Sequence, residues 1–360
     1  MTSYERIRAA LLNQSVDRIP FCPFLAYVWE HYPKDVQEKG QLAFHHRIGA
    51  DPMWRGAPCP VRTIEPPGCH SERREVGDEA HTHVTTPVGS LHWKHQRSPQ
   101  GNTWFLVEHP LKTTEDFKVQ LWIEQHTRFE YDEAPARQHL AGDGREGLSV
   151  GMLVPRGKTA FQTMIENYVG TEEMAYALAD YPGAVEELLW AMVETDQKMA
   201  EAAVGGPYEF FLTWEDSSTQ NYSPQQYRKY IQPEITGWCR VLKQHGKHYL
   251  QHACGHLRDL LPAMVEQGNL GVESISPRPT GNINIAEARA KLPANFAIVG
   301  GIEPTQFLHL DGPALDRHIE QAILAGSQGA FVLANSDSCP PGVTEAKFAR
   351  AAELARAWRI

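Results

Sequence analysis

The sequence predicts an α/β fold, a single-domain (β/α)8 TIM barrel spanning residues 1–360, with an N-terminal extension and a small antiparallel excursion. Three observations carry this prediction. After residue 145, six short strand-like runs alternate with helical pattern: GLSVGMLV (147–154), YEFFLTW (208–214), KHYLQHA (247–253), LGVESIS (270–276), FAIVGG (296–301) and GAFVLAN (329–335). The N-terminal portion can supply two more strands. Between these parts, residues 60–115 are rich in Pro, Gly, Thr and His and contain alternating pieces such as HTHVTTPVGSLHWKH. Strand–helix alternation indicates a parallel sheet, and eight units suit a barrel, with an open doubly wound sheet as the competing architecture.

Taken in order, SYERIRAALLNQ reads as an amphipathic opening helix and RIPFCPFLAYVW as the first strand. Helical pattern covers 183–203, 224–244, 257–267 and 313–325. A chain of 360 residues with 42% hydrophobic content can bury a sizeable core. Its formal net charge of −10, without a long Lys/Arg cluster, argues against nucleic-acid and anionic-membrane surfaces and leaves a small molecule or a protein as partner. The charged N-terminus has no signal-like apolar core, and no run is long enough to span a bilayer, so a cytoplasmic location is expected. Cys22, Cys59, Cys69, Cys239, Cys254 and Cys339 are too dispersed for a dense disulfide framework.

In a barrel, chemistry sits on the loops at the C-terminal ends of the strands. The unusual residues fall there: FFLTW runs into Glu215 and Asp216, HYLQ into His252 and Cys254, FAIVGG into Glu303, and FVLANSDS into Cys339. His252 and Cys254, two apart on extended chain, point to the same side, so one metal can meet both. Zinc prefers thiolate and imidazole, and a catalytic zinc takes three protein ligands and leaves a position open. Cys339 is a candidate third ligand, and Glu215 or Asp216 a candidate to occupy or guard the remaining position. The plain alternative is a packed cysteine beside a satisfied core histidine, with the acidic pair a solvated loop or helix cap.

Several longer stretches share a further likeness. ERIRAALLNQSVDRIPF, WEDSSTQNYSPQQYRKYIQP, GGIEPTQFL and CPPGVTEAKFARAAELAR, together with His252-x-Cys254 and the distant Cys339, resemble the uroporphyrinogen decarboxylase superfamily, and within it the zinc-dependent, cobalamin-linked methyltransferase branch. The resemblance implies a (β/α)8 barrel, zinc held by His252, Cys254 and Cys339, and methyl transfer between a small molecule (a methoxy compound or a thiol) and a corrinoid. Two departures refine it. The arginine-rich segment that holds porphyrinogen carboxylates is replaced by CPFLAYVWEHYPKDV, which has no arginine, and no D-x-H-x-x-G corrinoid motif occurs. Porphyrinogen decarboxylation is therefore not expected, and the cobalamin would arrive on a separate corrinoid protein. A decarboxylase or lyase acting on another small carboxylate, and a non-catalytic zinc-binding partner of a corrinoid protein, are the competing expectations. Homodimers are common in this superfamily.

Zinc suits methyl transfer because it presents a bound thiol as thiolate near neutral pH and acts as a Lewis acid on an ether oxygen. Glu215 or Asp216 would orient the imidazole or manage a proton. Other signals are weaker. Cys59 and Cys69, with His70 adjacent, are a candidate second metal cluster, with a plain surface loop as the favoured reading of APCPVRTIEPPGCH. Tyr27, Trp29, Trp54 and Trp214 are candidate aromatic walls for a flat substrate, with core packing as the alternative. GKTAFQTM shares only Gly-Lys-Thr with a phosphate loop.

Overall fold

The computed structural model describes residues 1–99 and 103–358. Seven strands, β1 (Met53–Ala57), β2 (Leu148–Met152), β3 (Phe210–Trp214), β4 (His248–His252), β5 (Gly271–Ile275), β6 (Ala297–Ile302) and β7 (Phe331–Asn335), form one sheet in sequential order. Every pairing is parallel. Side chains alternate across such a strand, and the alternation sorts the core. Met53, Leu148, Val150, Phe210, Leu212, Leu250, Val299 and Val332 share one cluster with Ile7 and Leu11 of the opening helix Ser3–Leu11. Their neighbours Phe211, Tyr249, Val272, Ile298 and Leu333 join the larger cluster formed with the surrounding helices. Since β1 and β7 contribute to the same inner cluster, the sheet is curled.

The expected first strand over 18–29 is reduced to an isolated parallel bridge between Phe21 and Leu333 of β7. Pro20 and Pro23 have no N–H to donate, which shortens the ladder, and Ala26–Trp29 turns helical instead. Three bonds hold the short segment: Cys22 N–H to Leu333 O at 2.8 Å, Leu333 N–H to Pro20 O at 3.0 Å, and Asp51 N–H to Phe21 O at 2.8 Å. The segment thus touches β7 on one side and the approach to β1 on the other.

The antiparallel excursion is a four-stranded sheet of His70–Val76, Glu79–Thr86, Gly89–Arg97 and Trp104–Glu108, and Val61–Ile64 pairs separately with Arg128–Tyr131. On Glu79–Thr86, Ala80, Thr82, Val84 and Thr86 are buried while His83 is exposed, the alternation of a half-buried strand. Helices Pro182–Ala203 and Gly312–Gly326 lie where the periodicity placed them. Helix Gln232–Gln244 is entered through a capped turn at Ser223 and a π-helical turn at Tyr227–Ile231. The expected helix over 257–267 begins only at Leu261. Backbone around His256 is engaged elsewhere: its N–H donates to Ser218 Oγ and its carbonyl accepts from Thr219 N–H, which ties it to the loop after β3. Among the described residues, no helix is long and apolar enough to cross a membrane.

Candidate metal and proton-transfer site

The same alternation that points Phe210 and Leu212 inward carries on past the end of β3, so Trp214 and Asp216 face one way and Glu215 the other. On β4 it aligns Leu250, His252 and Cys254. Register places His252 opposite Trp214 on one side and Glu273 of β5 on the other. Asp216, His252 and Cys254 therefore converge, each offering a ligand atom within 4.8 Å of the others. Cys254 Sγ donates to Asp216 Oδ1 at 3.2 Å, and His252 Nε2 lies 3.6 Å from the same oxygen. Trp214 stands edge-on to the His252 ring, centroids 5.0 Å apart.

Surrounding charges fix the orientation of these groups. His252 Nδ1 is hydrogen-bonded to Glu273 Oε2, and Glu273 Oε1 lies 3.0 Å from Arg55 Nε, both of these side chains fully buried. With Nδ1 committed to a carboxylate, Nε2 is the ring nitrogen left to face Asp216 and Cys254. Burial works to lower the His252 pKa, but the Glu273 carboxylate, aided by Asp216 and Asp337, raises it above the ordinary value. Lys158 Nζ, from the loop after β2, binds Asp216 Oδ2 at 2.7 Å, the Trp214 carbonyl at 2.6 Å and Glu166 at 2.8 Å. Burial tends to raise the Asp216 pKa, while Lys158 and His252 together hold it below the usual range. Burial, reinforced by Asp216 and Asp337, pushes the Cys254 thiol far up. A cation among these groups would reverse that last shift. Imidazole, thiol and carboxylate converging here, with the imidazole oriented from behind by a carboxylate, are a donor set that fits zinc.

Glu215 has a different neighbourhood. It is fully buried and accepts Thr159 N–H at 2.7 Å, Thr159 Oγ–H at 2.7 Å and Thr213 Oγ–H at 2.8 Å. Burial raises its pKa to about 7 against these donors. Its contacts brace the turn that presents Lys158.

Cys339 does not enter the Asp216–His252–Cys254 group. It is fully buried and hydrogen-bonded to Asn335. Asn335 in turn accepts Phe24 N–H at 2.8 Å and donates to the Phe24 and Asp337 carbonyls at 2.7 Å, which anchors the loop after β7 to the first segment. Glu303, also at a strand end, caps helix Pro304–His309 by accepting Gln306 N–H at 2.6 Å. Of the expected aromatic walls, Trp214 is at the site, stacked on Phe24 at 5.6 Å. Trp54 has the opposite parity to Arg55 and packs against His45 and His139, Trp29 joins Tyr32 and Phe44, and Tyr27 is exposed. Cys59 and Cys69 are partly buried at the edge of the core and join no metal-ligand group among the described residues. Sequence reasoning missed Arg55, Lys158 and Glu273. The signal for Glu273 was a carboxylate inside a strand otherwise buried on both faces, and for Lys158 a lysine just past a strand end.

A family model described as uroporphyrinogen decarboxylase (URO-D) matches residues 158–358, more than half of the chain. No curated protein matches. Among solved structures, the chain is similar to a methyltransferase from Methanosarcina mazei, with a TM-score of 0.62 at 15% identity over 99% of this chain and 98% of that one. It is more distantly similar to a B12-independent methionine synthase from Shewanella sp. W3-18-1, solved with selenomethionine, with a TM-score of 0.42 at 10% identity over 94% and 97% of the two chains.

Proposed function

Because the chain belongs to the uroporphyrinogen decarboxylase family, we propose that it is a zinc-dependent methyltransferase that moves a methyl group between a small methoxy compound or thiol and a separate corrinoid protein. The observation that carries the reading is the convergence of Asp216, His252 and Cys254 at adjacent strand ends, with His252 Nε2 left free by Glu273. The fold likeness to the Methanosarcina methyltransferase is consistent with it. We read the curled sheet as a closed (β/α)8 barrel, with Pro20–Cys22 as the eighth stave, on the strength of the Phe21 bridge and the Asp51 bond.

His252 and Cys254 would hold the zinc, with Cys339 or Asp216 as the third ligand. When bound, the ion supplies Lewis acidity, lowering the pKa of a substrate thiol or polarising an ether oxygen. The protein's own groups do the rest. Glu273, backed by Arg55, holds the imidazole in one tautomer. Asp216 Oδ1 is placed to take the Cys254 thiol proton, and Lys158 keeps that carboxylate aimed and ionised. Trp214 and Phe24 close one side of the site with apolar surface. The segment from Cys22 to Val36 has no arginine to hold the carboxylates of a porphyrinogen, so the reaction in the family's name is not the one proposed.

Elemental analysis tests the metal. Wild type should hold about one zinc per chain, and Cys254→Ala should lose it. Loss in Cys339→Ala as well would make Cys339 the third ligand, whereas retention there with loss in Asp216→Ala would give that place to Asp216. Undiminished zinc in all three variants would end the assignment. Turnover of a methylated substrate should require added corrinoid protein or free cobalamin and change the cobalt absorption spectrum. Full turnover without cobalt would refute the corrinoid part, and zinc without any turnover would leave a binding protein.

A further inference from the structure

Apart from this site, a cavity of about 570 Å³ lies between the four-stranded antiparallel sheet and the helices beneath it. That volume is in the range that holds a small organic molecule. Val84, Leu91, Trp93 and Leu106 of the sheet, with Ile123 and Met199 of helices Thr114–His126 and Pro182–Ala203, make its walls largely apolar. Its floor is charged. Arg156 pairs with Glu124 at 2.9 Å and with Asp196 at 2.9 Å, and Tyr168 Oη lies 3.3 Å from the guanidinium. All four line the cavity.

One guanidinium thus meets two carboxylates. Burial raises Asp196 to about 6 against the pull of Arg156. Glu234, behind Asp196 and outside the cavity lining, is pushed upward by burial and by the Asp196 carboxylate. Glu65 is a further carboxylate in the lining, so acidic groups outnumber the single arginine or lysine lining the cavity among the described residues, and that one, Arg156, already has both its partners. An anion entering would face carboxylates without a free counter-charge. A cation would be drawn to those carboxylates, and Trp93 and Tyr168 also line the cavity. Two buried polar atoms of lining residues, Thr163 Oγ1 and His95 Nδ1, lack hydrogen-bond partners.

We propose that this cavity is a second ligand site, which takes a small organic ammonium ion with an apolar or aromatic body. The proposal does not depend on the zinc or corrinoid reading, because none of the lining residues is a candidate zinc ligand.

Isothermal titration calorimetry on the full chain at pH 7.5, with 2-phenylethylamine, 2-phenylethanol and 3-phenylpropionate as matched probes, tests it. The amine should bind with a Kd of about 0.1–1 mM, as a fragment of this size can. The alcohol should bind several-fold more weakly and the carboxylate not measurably. Asp196→Asn should weaken the amine about tenfold and leave the alcohol unchanged. Leu91→Trp, which fills the cavity, should abolish both, and Trp93→Leu should weaken the amine if Leu91→Trp does not fold. Cys254→Ala should bind the amine as wild type does. The proposal is overturned if the wild type does not bind the amine, if the three probes bind alike, if folded Leu91→Trp or Trp93→Leu binds undiminished, or if binding is lost in Cys254→Ala.

Discussion

Adjacent carboxylates at 215 and 216 serve different purposes because extended backbone turns them apart. Asp216 shares one oxygen with the Cys254 thiol and the other with Lys158, whereas Glu215 accepts three hydrogen bonds from threonines and reaches no ligand atom. Asp216→Asn keeps the shape but removes the charge that Lys158 and His252 face, and should lower turnover on the order of a hundredfold. Glu215→Gln should stay within a few-fold of wild type, because the Thr159 hydroxyl can rotate to accept from the amide. Paired kinetic measurements decide it, and equal activity in both variants would move proton handling elsewhere. His45 offers a test by pH. It is buried, its Nδ1 faces the Gln41 carbonyl at 2.7 Å, and burial lowers its pKa to about 4. A histidine whose folded pKa lies below its unfolded value of about 6.5 contributes stability that is complete above 6.5 and falls away towards 4, because the unfolded chain takes up the proton first. Between pH 7 and pH 5 the wild type should lose about 2 kcal/mol through this one group. Urea titrations of wild type and His45→Phe at the two pH values should show the variant's loss smaller by that amount.

At the scale of elements, strand parity and register decide the site more than any single residue does. His252 acquires Glu273 only because β4 and β5 pair with those two residues opposite, and a one-residue slip of either strand would turn its own member of the pair away from the inner face. The start of β2 shows how tightly that register is held. Leu148 N–H donates to Pro52 O at 3.0 Å, and Gly147 just before it has φ of +82°, with space so close that a Cβ would come within 2.1 Å of the same carbonyl oxygen. Gly147→Ala should therefore destabilise the protein by about 2 kcal/mol or more, measured as a lower urea midpoint. An unshifted midpoint would mean that the β1–β2 junction relaxes freely. The loop after β7 is the opposite case: strand periodicity brought Cys339 to the correct end of the sheet, but Asn335 and its bonds to Phe24 decide where the thiol comes to rest.

Across the whole molecule, the six strand-like runs after residue 145 were legible because each is a short apolar stretch between helical patterns, and all six are parallel strands in sequential order. The antiparallel excursion was legible from its alternation, and the His252-x-Cys254 pairing from its spacing on extended chain. The first strand was overread, since the apolar content of RIPFCPFLAYVW outweighed two prolines that cannot donate to a ladder. Arg55, Lys158 and Glu273 were not singled out, because a charged residue in a strand or loop has no periodic signature and acquires its role from a partner far away in the chain. The cavity under the antiparallel sheet was equally hidden, being assembled from a sheet, two helices and a loop that meet only on folding. By itself the sequence determined the alternation of elements, the inner and outer faces of each strand, and the ligand-type residues at strand ends. The tertiary structure alone decided which of them meet, because hydrogen-bond register across the sheet and the packing of loops over it depend on contacts between residues that are distant in sequence.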